Sequence, residues 1–266
     1  DVVQIDMVID QLKDAQRPLL ILGGGVVKGQ SDNIAGVIKT IGAASMVSTA
    51  GRGLVSPSDP LAFGPCLARP SSVEIAASAD LIIVIGCELA EVDIWRHGLG
   101  HNAPMIRVDL DPVVLADDPL TSVSVQSDGA DFIKGLAARL GGPLQTQWDI
   151  KHIAKTRAGW RAEVMAERPN IVPVVDAIRE AVSADTMIYS DMTQLAYAAV
   201  EVWDMEMVGH WHHPSGFGTL GYATPAAIGG AIGRPNMPTM AIIGDYGFHY
   251  TCQELGVAVE LGLSLP

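Results

Sequence analysis

Cysteine is scarce in this 266-residue chain. Cys66, Cys87 and Cys252 stand apart, forming neither a C-x-x-C pair nor a disulfide framework, so a reducing cytoplasm is the expected setting. Basic residues are also few: 17 Lys and Arg against 30 Asp and Glu give a net charge of −13. That balance argues against nucleic acid or an anionic membrane as the main partner. Apolar runs such as Leu19 to Leu22 and Leu81 to Ile85 are strand-sized, far short of the ~18 residues that a membrane span needs. No signal peptide, internal repeat or low-complexity tract is visible. The chain opens on Asp1 with helix-like text and closes on Leu265-Pro266, where a further strand should begin; both ends read as cuts inside a longer protein.

What is present is 48% hydrophobic residues and 28 glycines, a composition suited to buried parallel strands joined by glycine turns. The length allows one large domain or two ordinary ones. Residues 1–140 alternate helix and strand signals, the mark of a βαβ series. Helices are expected near 3–13, 32–41, 71–79 and 129–140, and strands near 19–22, 44–48, 81–85, 105–108 and 123–126. Pro57 to Pro70, with four prolines, is expected to be loop. Residues 141–170 carry no strand signal and read as a helical connector that packs between two domains. From 171 to 266 the alternation resumes, with helices near 174–182 and 225–232 and strands at 187–190 and 240–243. The fold class is therefore α/β, with mainly parallel sheets.

The second half is organised around Ile242 to Pro266. Apolar Met240 to Ile243 reads as a buried strand, broken at Gly244-Asp245-Tyr246-Gly247 before an amphipathic helix. An acid at a strand tip, followed by glycine and a helix start, suits a metal-bound phosphate: the carboxylate holds the cation, and free N–H groups meet the anion. Asp245 can equally cap the helix that follows. Two further loops keep it company, Asp191-Met192-Thr193-Gln194 after a strand and the glycine-rich Gly216 to Tyr222. In open α/β sheets ligands sit at the carboxyl ends of strands, so the three can converge.

Other motifs are weaker. Gly23, Gly25 and Gly29 follow a strand, but their G-x-G-x-x-x-G spacing departs from the dinucleotide fingerprint and suits a tight βα turn. Asp109 or Asp111 can hold a ribose hydroxyl or cap a turn before Pro112. FAD or a nucleotide in this half has no further support. His210, His212 and His213 cluster without regular metal-ligand spacing or partner ligands. They suit a loop lining a polar pocket, and one of them is a candidate proton donor.

These residues resemble a known family. GDYGFHYTCQELGVAVELGLSLP is similar to the signature of thiamine-diphosphate-dependent enzymes. GFGTLGYATPAAIGGAIG resembles their loop around the aminopyrimidine, and SDMTQ their diphosphate loop. LIIVIGCEL and MIRVDLDP resemble their central domain. Acetolactate-synthase-like enzymes and related 2-oxo-acid decarboxylases look most similar. The resemblance implies two three-layer αβα domains: a central Rossmann-like domain over 1–140, then, after the connector, the first part of a diphosphate-binding domain over 171–266. It implies thiamine diphosphate with Mg²⁺ held by Asp245 and backbone N–H groups of Tyr246 and Gly247 at phosphate oxygens. Gly218 would accept from the pyrimidine amino group, Leu220 would be the apolar wedge that keeps the cofactor bent, and Thr193 and Gln194 would form the second diphosphate loop.

The chain also departs from the pattern. Tyr246 replaces the third residue of Gly-Asp-Gly, which requires that it avoid a left-handed conformation. Leu195 stands where synthases place His. The Asn that completes the Mg²⁺ shell is expected after Pro266, and the glutamate that activates the cofactor in a preceding domain of a partner subunit, so the chain alone is expected to be inactive. The implied reaction is decarboxylation of a 2-oxo acid by a homodimer or homotetramer, followed by carboligation as in acetolactate synthase, or by simple protonation. A non-catalytic cofactor-binding module and a nucleotide-dependent oxidoreductase are the readings from other classes.

Overall fold

The two uninterrupted apolar runs of the first half become the two central strands of a sheet. β1 (Pro18–Leu22) and β4 (Leu81–Ile85) pair in parallel and are buried at every position. A strand covered on both faces has no reason to alternate polar and apolar residues. A computed structural model of the chain describes residues 2–27 and 34–266. It divides into two units, Asp1–Trp160 and Arg161–Pro266.

In the first unit, α1 (Val2–Asp14) precedes β1, and α2 (Ile34–Ile41) leads to β2 (Ala44–Val47) and β3 (Ala62–Gly64). Then come α3 (Ser72–Ser78), β4, α4 (Glu91–Ile94), β5 (Met105–Asp109), α5 (Pro112–Leu115), β6 (Thr121–Gln126) and α6 (Gly129–Leu140). The sheet order is β3-β2-β1-β4-β5-β6, every pair parallel. This is the doubly wound order, in which the chain reverses its direction of growth between β1 and β4. Edge strand β6 alternates buried and exposed residues along Thr121 to Gln126, because only one of its faces is covered.

One face of this sheet carries α1, α2 and α6, which pack on one another. The other buries Leu19, Ile21, Ile82 and Val84 against Ile75 and Ala76 of α3, with Phe63, Trp148 and Trp160. Phe63 meets the Trp148 ring edge-on, centroids 5.4 Å apart. Both indoles also satisfy their N–H groups, Trp148 on the Pro18 carbonyl at 2.9 Å and Trp160 on Ser71 Oγ at 2.7 Å. Within the stretch 141–170, α7 (Ile150–Glu167) supplies Ile153 and Trp160 to this core and Val164 to the core of the second unit.

The second unit holds α8 (Val172–Ala181), β7 (Met187–Ser190), α9 (Gln194–Val202), β8 (Trp211–His212), α10 (Ala223–Gly233), β9 (Thr239–Ile242), α11 (Asp245–Thr251) and α12 (Leu255–Glu260). Its parallel sheet has the order β8-β7-β9. Val172, Val175, Ala198, Ala199 and Trp211 pack on one face. On the other, Met187 and Tyr189 pack on Ala227 of α10. The whole chain is thus α/β, a six-stranded parallel sheet followed by a small parallel sheet.

Two local expectations need correction. The segment from Pro57 to Pro70 is not all loop: Ala62–Gly64 adds β3 beside β2. A three-residue strand ringed by prolines is too short to show a period. The glycine-rich stretch from His210 opens with the two-residue strand β8, and α4 and α5 are single turns of helix that carry no sequence period. Gly29, and the expected helix start at Asp32, lie outside the described residues.

Candidate functional site

The carboxyl ends of β7 and β9 lie side by side, paired through Ser190 and Ile242. Asp191 continues that ladder, its N–H donating to the Ile242 carbonyl at 2.8 Å. Its side chain is fully buried, and Oδ2 accepts the N–H of Gly221 at 2.7 Å. A Cβ on Gly247 would overlap this same Oδ2. Three loops therefore meet at one carboxylate: the end of β7, the glycine loop before α10, and the first turn of α11. Sequence patterns gave Asp191 no role of its own; its place at a strand end, directly before the Thr-Gln pair, was the available signal.

Asp245 is the first residue of α11 and is exposed, with Gly244 extended at the N-cap (φ −85°, ψ 165°). Tyr246 follows within the helix. Among the described residues the non-glycine positions with positive φ are Leu89 and Trp95, so Tyr246 meets no left-handed demand. Thr193 caps α9, its Oγ1 accepting the Ala196 N–H at 3.0 Å, and its methyl faces Gly244 at 3.3 Å from where a Cβ would stand. The Thr193 hydroxyl keeps its own proton to donate. Gln194 is exposed, and its Oε1 accepts from Arg168 Nε at 3.4 Å. Gly218 has φ +65° and faces the Met192 methyl; Leu220 is 41% exposed. The structure thus gathers Thr193, Leu220, Gly221, Asp245 and Gly247 around the ends of β7 and β9.

The three histidines part company. His210 is fully buried, with Nδ1 on the Val208 carbonyl at 2.9 Å. His212 stacks on Tyr189 (4.8 Å, 12°), the tyrosine that packs on α10. Burial pushes the His212 pKa below its usual value, helped by Arg234 and His210. His213 follows β8 at the carboxyl end of the sheet, its Nδ1 2.8 Å from Ser190 Oγ, which also accepts the Trp211 indole N–H at 2.9 Å. Of the three side chains it is that of His213 that reaches Ser190 at the end of β7. Among the described residues no group of three or more His, Cys, Asp or Glu is placed to hold a metal.

The glycine turn of the first unit serves packing. Gly23 N–H donates to the Ile85 carbonyl and Gly25 N–H to that of Gly86, both at 2.9 Å. A Cβ on Gly23 would overlap the Gly86 oxygen, and one on Gly25 would stand 2.8 Å from Gly86 Cα. The two aspartates after β5 cap: Asp111 accepts the Val113 N–H at 2.8 Å, and Asp109 that of Asp111 at 3.0 Å. Arg107, buried in β5, ties down the exit of β4 by donating to the Cys87 and Glu88 carbonyls at 3.1 and 3.2 Å. Burial, with Asp93 beside it, pushes the Cys87 thiol up to about 12, so the thiolate is suppressed.

Whether the second unit suits a diphosphate-bearing cofactor is answered by two of its features. Asp191 Oδ1 is buried without a hydrogen-bond partner among the described residues, an uncommon state for a carboxylate oxygen and one that a bound group accounts for. Beside it, α11 makes its first helical bond from the Phe248 N–H to the Gly244 carbonyl, so the N–H groups of Asp245, Tyr246 and Gly247 have no acceptor within the helix. The residues fit.

Comparison with known proteins agrees. A family model described as "Thiamine pyrophosphate enzyme, central domain" matches residues 5–136, and one described as "Thiamine pyrophosphate enzyme, C-terminal TPP binding domain" matches residues 191–265. The probable 2-ketoarginine decarboxylase AruI of Pseudomonas aeruginosa is 36% identical over 255 residues, covering 94% of this chain and 45% of that protein. A probable acetolactate synthase large subunit of Methanococcus aeolicus is 24% identical, over 98% of this chain and 47% of that protein. The acetolactate synthase large subunit of Corynebacterium glutamicum is 26% identical, over 98% and 44%. The chain spans about half the length of these relatives. With its six-stranded unit matched to the central domain and its converging strand-end loops to the cofactor-binding domain, the chain belongs to the thiamine pyrophosphate (thiamine diphosphate) enzymes.

Proposed function

We propose that the protein is a Mg²⁺- and thiamine-diphosphate-dependent 2-oxo-acid decarboxylase. The observation that carries this is the meeting of the β7, β9 and glycine-loop ends at Asp191. Asp245 would hold Mg²⁺, and the N–H groups of Tyr246 and Gly247 would face the diphosphate. Thr193 and Gln194 would close its other side. Gly218 would offer its carbonyl to the aminopyrimidine, and Leu220 its side chain as the wedge. The cofactor, when bound, supplies the electron sink that decarboxylation requires. The chain's residues fix geometry and place charge.

After loss of CO₂ a proton must be delivered, or a second carbonyl added. Protonation is our first reading, supported by 36% identity to a protein named as a decarboxylase against 24% and 26% to synthases. Leu195, where synthases place His, supports the same order. A 2-oxo acid with a long cationic side chain, as the name of that relative describes, heads the substrate panel. Carboligation is the second reading, favoured by the several synthases that match nearly the whole chain.

Of the three histidines, His213 is the proton donor we propose. Ser190 Oγ accepts from Trp211; in the tautomer that takes the Ser190 proton on Nδ1, His213 carries its own proton on Nε2, and the His212 carbonyl at 3.4 Å is the competing acceptor. His213→Ala should lower kcat at least about a hundredfold, the low end for general acid catalysis. His210→Ala and His212→Ala should act through stability. Equal kcat in all three variants would rule His213 out.

Phe217, Tyr246, Tyr250, Leu255 and Val259 are exposed, a large apolar surface for one small unit, and this supports a homodimer or homotetramer that covers it. Three free thiols and the acidic balance support a cytoplasmic protein that engages neither nucleic acid nor membrane. No helix among the described residues is long and apolar enough to cross a membrane.

The decisive experiment is calorimetric titration of the full-length protein with thiamine diphosphate and Mg²⁺. Asp245→Ala should abolish Mg²⁺-dependent binding; unchanged affinity would sink the site assignment. Product analysis over a panel of 2-oxo acids then separates decarboxylation from carboligation.

A further inference from the structure

Asp191 does more than end a strand. Its backbone is held by β9 through the Ile242 carbonyl at 2.8 Å, and its Oδ2 takes the Gly221 N–H at 2.7 Å. Gly221 is buried, with φ +84°, a conformation that side chains resist. A Cβ there would stand 3.0 Å from Tyr250 Cβ and 3.1 Å from Thr251 Cγ2, both in α11. Gly247 of the same helix has its Cβ position filled by Asp191 Oδ2. Two glycines and one carboxylate thus lock the Leu220–Gly221 peptide onto α11. No shorter side chain reaches across from β7, and no larger residue at 221 or 247 leaves room.

A buried carboxylate is an expensive way to accept one backbone hydrogen bond. Its placement makes sense if the peptide it holds must not move. Gly218 and Leu220 lie on that peptide's upstream side, and Asp245 begins the helix on which it is locked. We infer that Asp191 is a positioning residue: it holds the Gly218–Gly221 loop in fixed register with the first turn of α11. It does so by hydrogen bonding and packing and touches no reacting atom. The inference rests on the proposed cofactor site for its purpose but not for its geometry.

The test uses Asp191→Ala and Asp191→Asn in the full-length protein. Asn keeps an acceptor for Gly221, and its NH₂ takes the Oδ1 position, which has no donor partner among the described residues to oppose it. Without cofactor, Ala should speed amide exchange in the 216–222 peptide about tenfold or more, the scale of one hydrogen bond to a charged group. Asn should stay within about threefold of wild type, and the α8 peptide should be unchanged in both. In calorimetric titration Ala should weaken thiamine diphosphate binding about tenfold, and Asn, which keeps the Gly221 acceptor but changes the atom at Oδ1, should fall between Ala and wild type. Wild-type exchange and affinity in the Ala variant would overturn the inference, as would an Asn variant impaired as much as Ala. Should the Ala variant not fold, the Asn variant decides alone: protection of Gly221 supports the lock, and its loss refutes it. If the wild-type protein does not bind the cofactor, the functional proposal fails while the exchange comparison still judges Asp191.

Discussion

Both units place glycines at the carboxyl ends of parallel strands, and they use them for opposite ends. In the first unit Gly23, Gly25 and Gly86 face each other, backbone to backbone, where β1 and β4 diverge. In the second, Gly221 and Gly247 face a side chain, the buried carboxylate of Asp191. The first arrangement joins two strands and leaves no gap. The second makes a junction of three loops, the ones proposed to hold the cofactor. A glycine-rich turn after a strand therefore says that something approaches closely, and only the partner decides whether that something is the protein itself or a ligand.

The sharpest way to break this comparison is the same substitution in both places. Gly23→Ala would force a methyl into the Gly86 carbonyl and Cys87, backbone and Cβ atoms that cannot swing aside. It should cost about 3 kcal/mol or more, read as a fall in Tm of roughly 6–12 °C by calorimetry. Thiamine diphosphate affinity should stay within about threefold at temperatures where the variant is folded. Gly247→Ala displaces Asp191 instead, so affinity should fall about tenfold or more. Equal losses of affinity in the two variants would erase the distinction.

The sequence made the architecture largely legible, for reasons visible in single elements. LLIL and LIIVI read as strands because both faces of β1 and β4 are buried. The strand-to-helix junction at Asp245 was legible because an acid, a glycine and a helix start are contiguous. Short elements were not: β3, β8, α4 and α5 are two to four residues long and too brief for a period to show. Asp191 was missed because its role depends on Gly221 and Gly247, 30 and 56 positions away, and no local pattern records a contact of that range. The separate surroundings of the clustered histidines were not legible either. Three neighbours in sequence meet a carbonyl, a tyrosine ring and a serine, because β8 turns His212 and His213 to opposite faces and His210 stands just before it.

A smaller effect separates scaffold from site within the second unit. Thr193 belongs to a proposed cofactor loop, yet its Oγ1 already caps α9. Thr193→Ala should cost about 1 kcal/mol of stability by loss of the cap. Thr193→Ser keeps the hydroxyl, and should recover both stability and affinity. If Ser recovers stability alone, the methyl against Gly244 is what the loop requires.

The smallest effect sharpens the comparison through pH. Burial holds the Asp93 carboxyl of the first unit above its usual value, with the Thr49 N–H opposing and Glu88 reinforcing. A raised folded-state pKa means the folded chain keeps its proton longer than the unfolded one. Stability from this group is full below about pH 3.9 and is lost as pH rises through the folded value, so Asp93 costs stability at neutral pH. His212 of the second unit is depressed, so its contribution is intact above about pH 6.5 and is lost as pH falls through the folded value. His101 in the first unit is depressed too, by burial against the opposing pull of Asp118, and adds to the acid sensitivity. Asp93→Asn keeps an acceptor for Thr49 and should raise Tm at pH 7 by about 1–3 °C, with the gain gone in acid. His212→Phe keeps the ring on Tyr189 and should shrink the fall in Tm between pH 7 and pH 5 by a similar amount, about 1–3 °C. Because the two groups carry opposite signs, the double variant should gain at both ends of the range, and a double variant that gains at neither would show that burial at these two sites is not what sets the acid response.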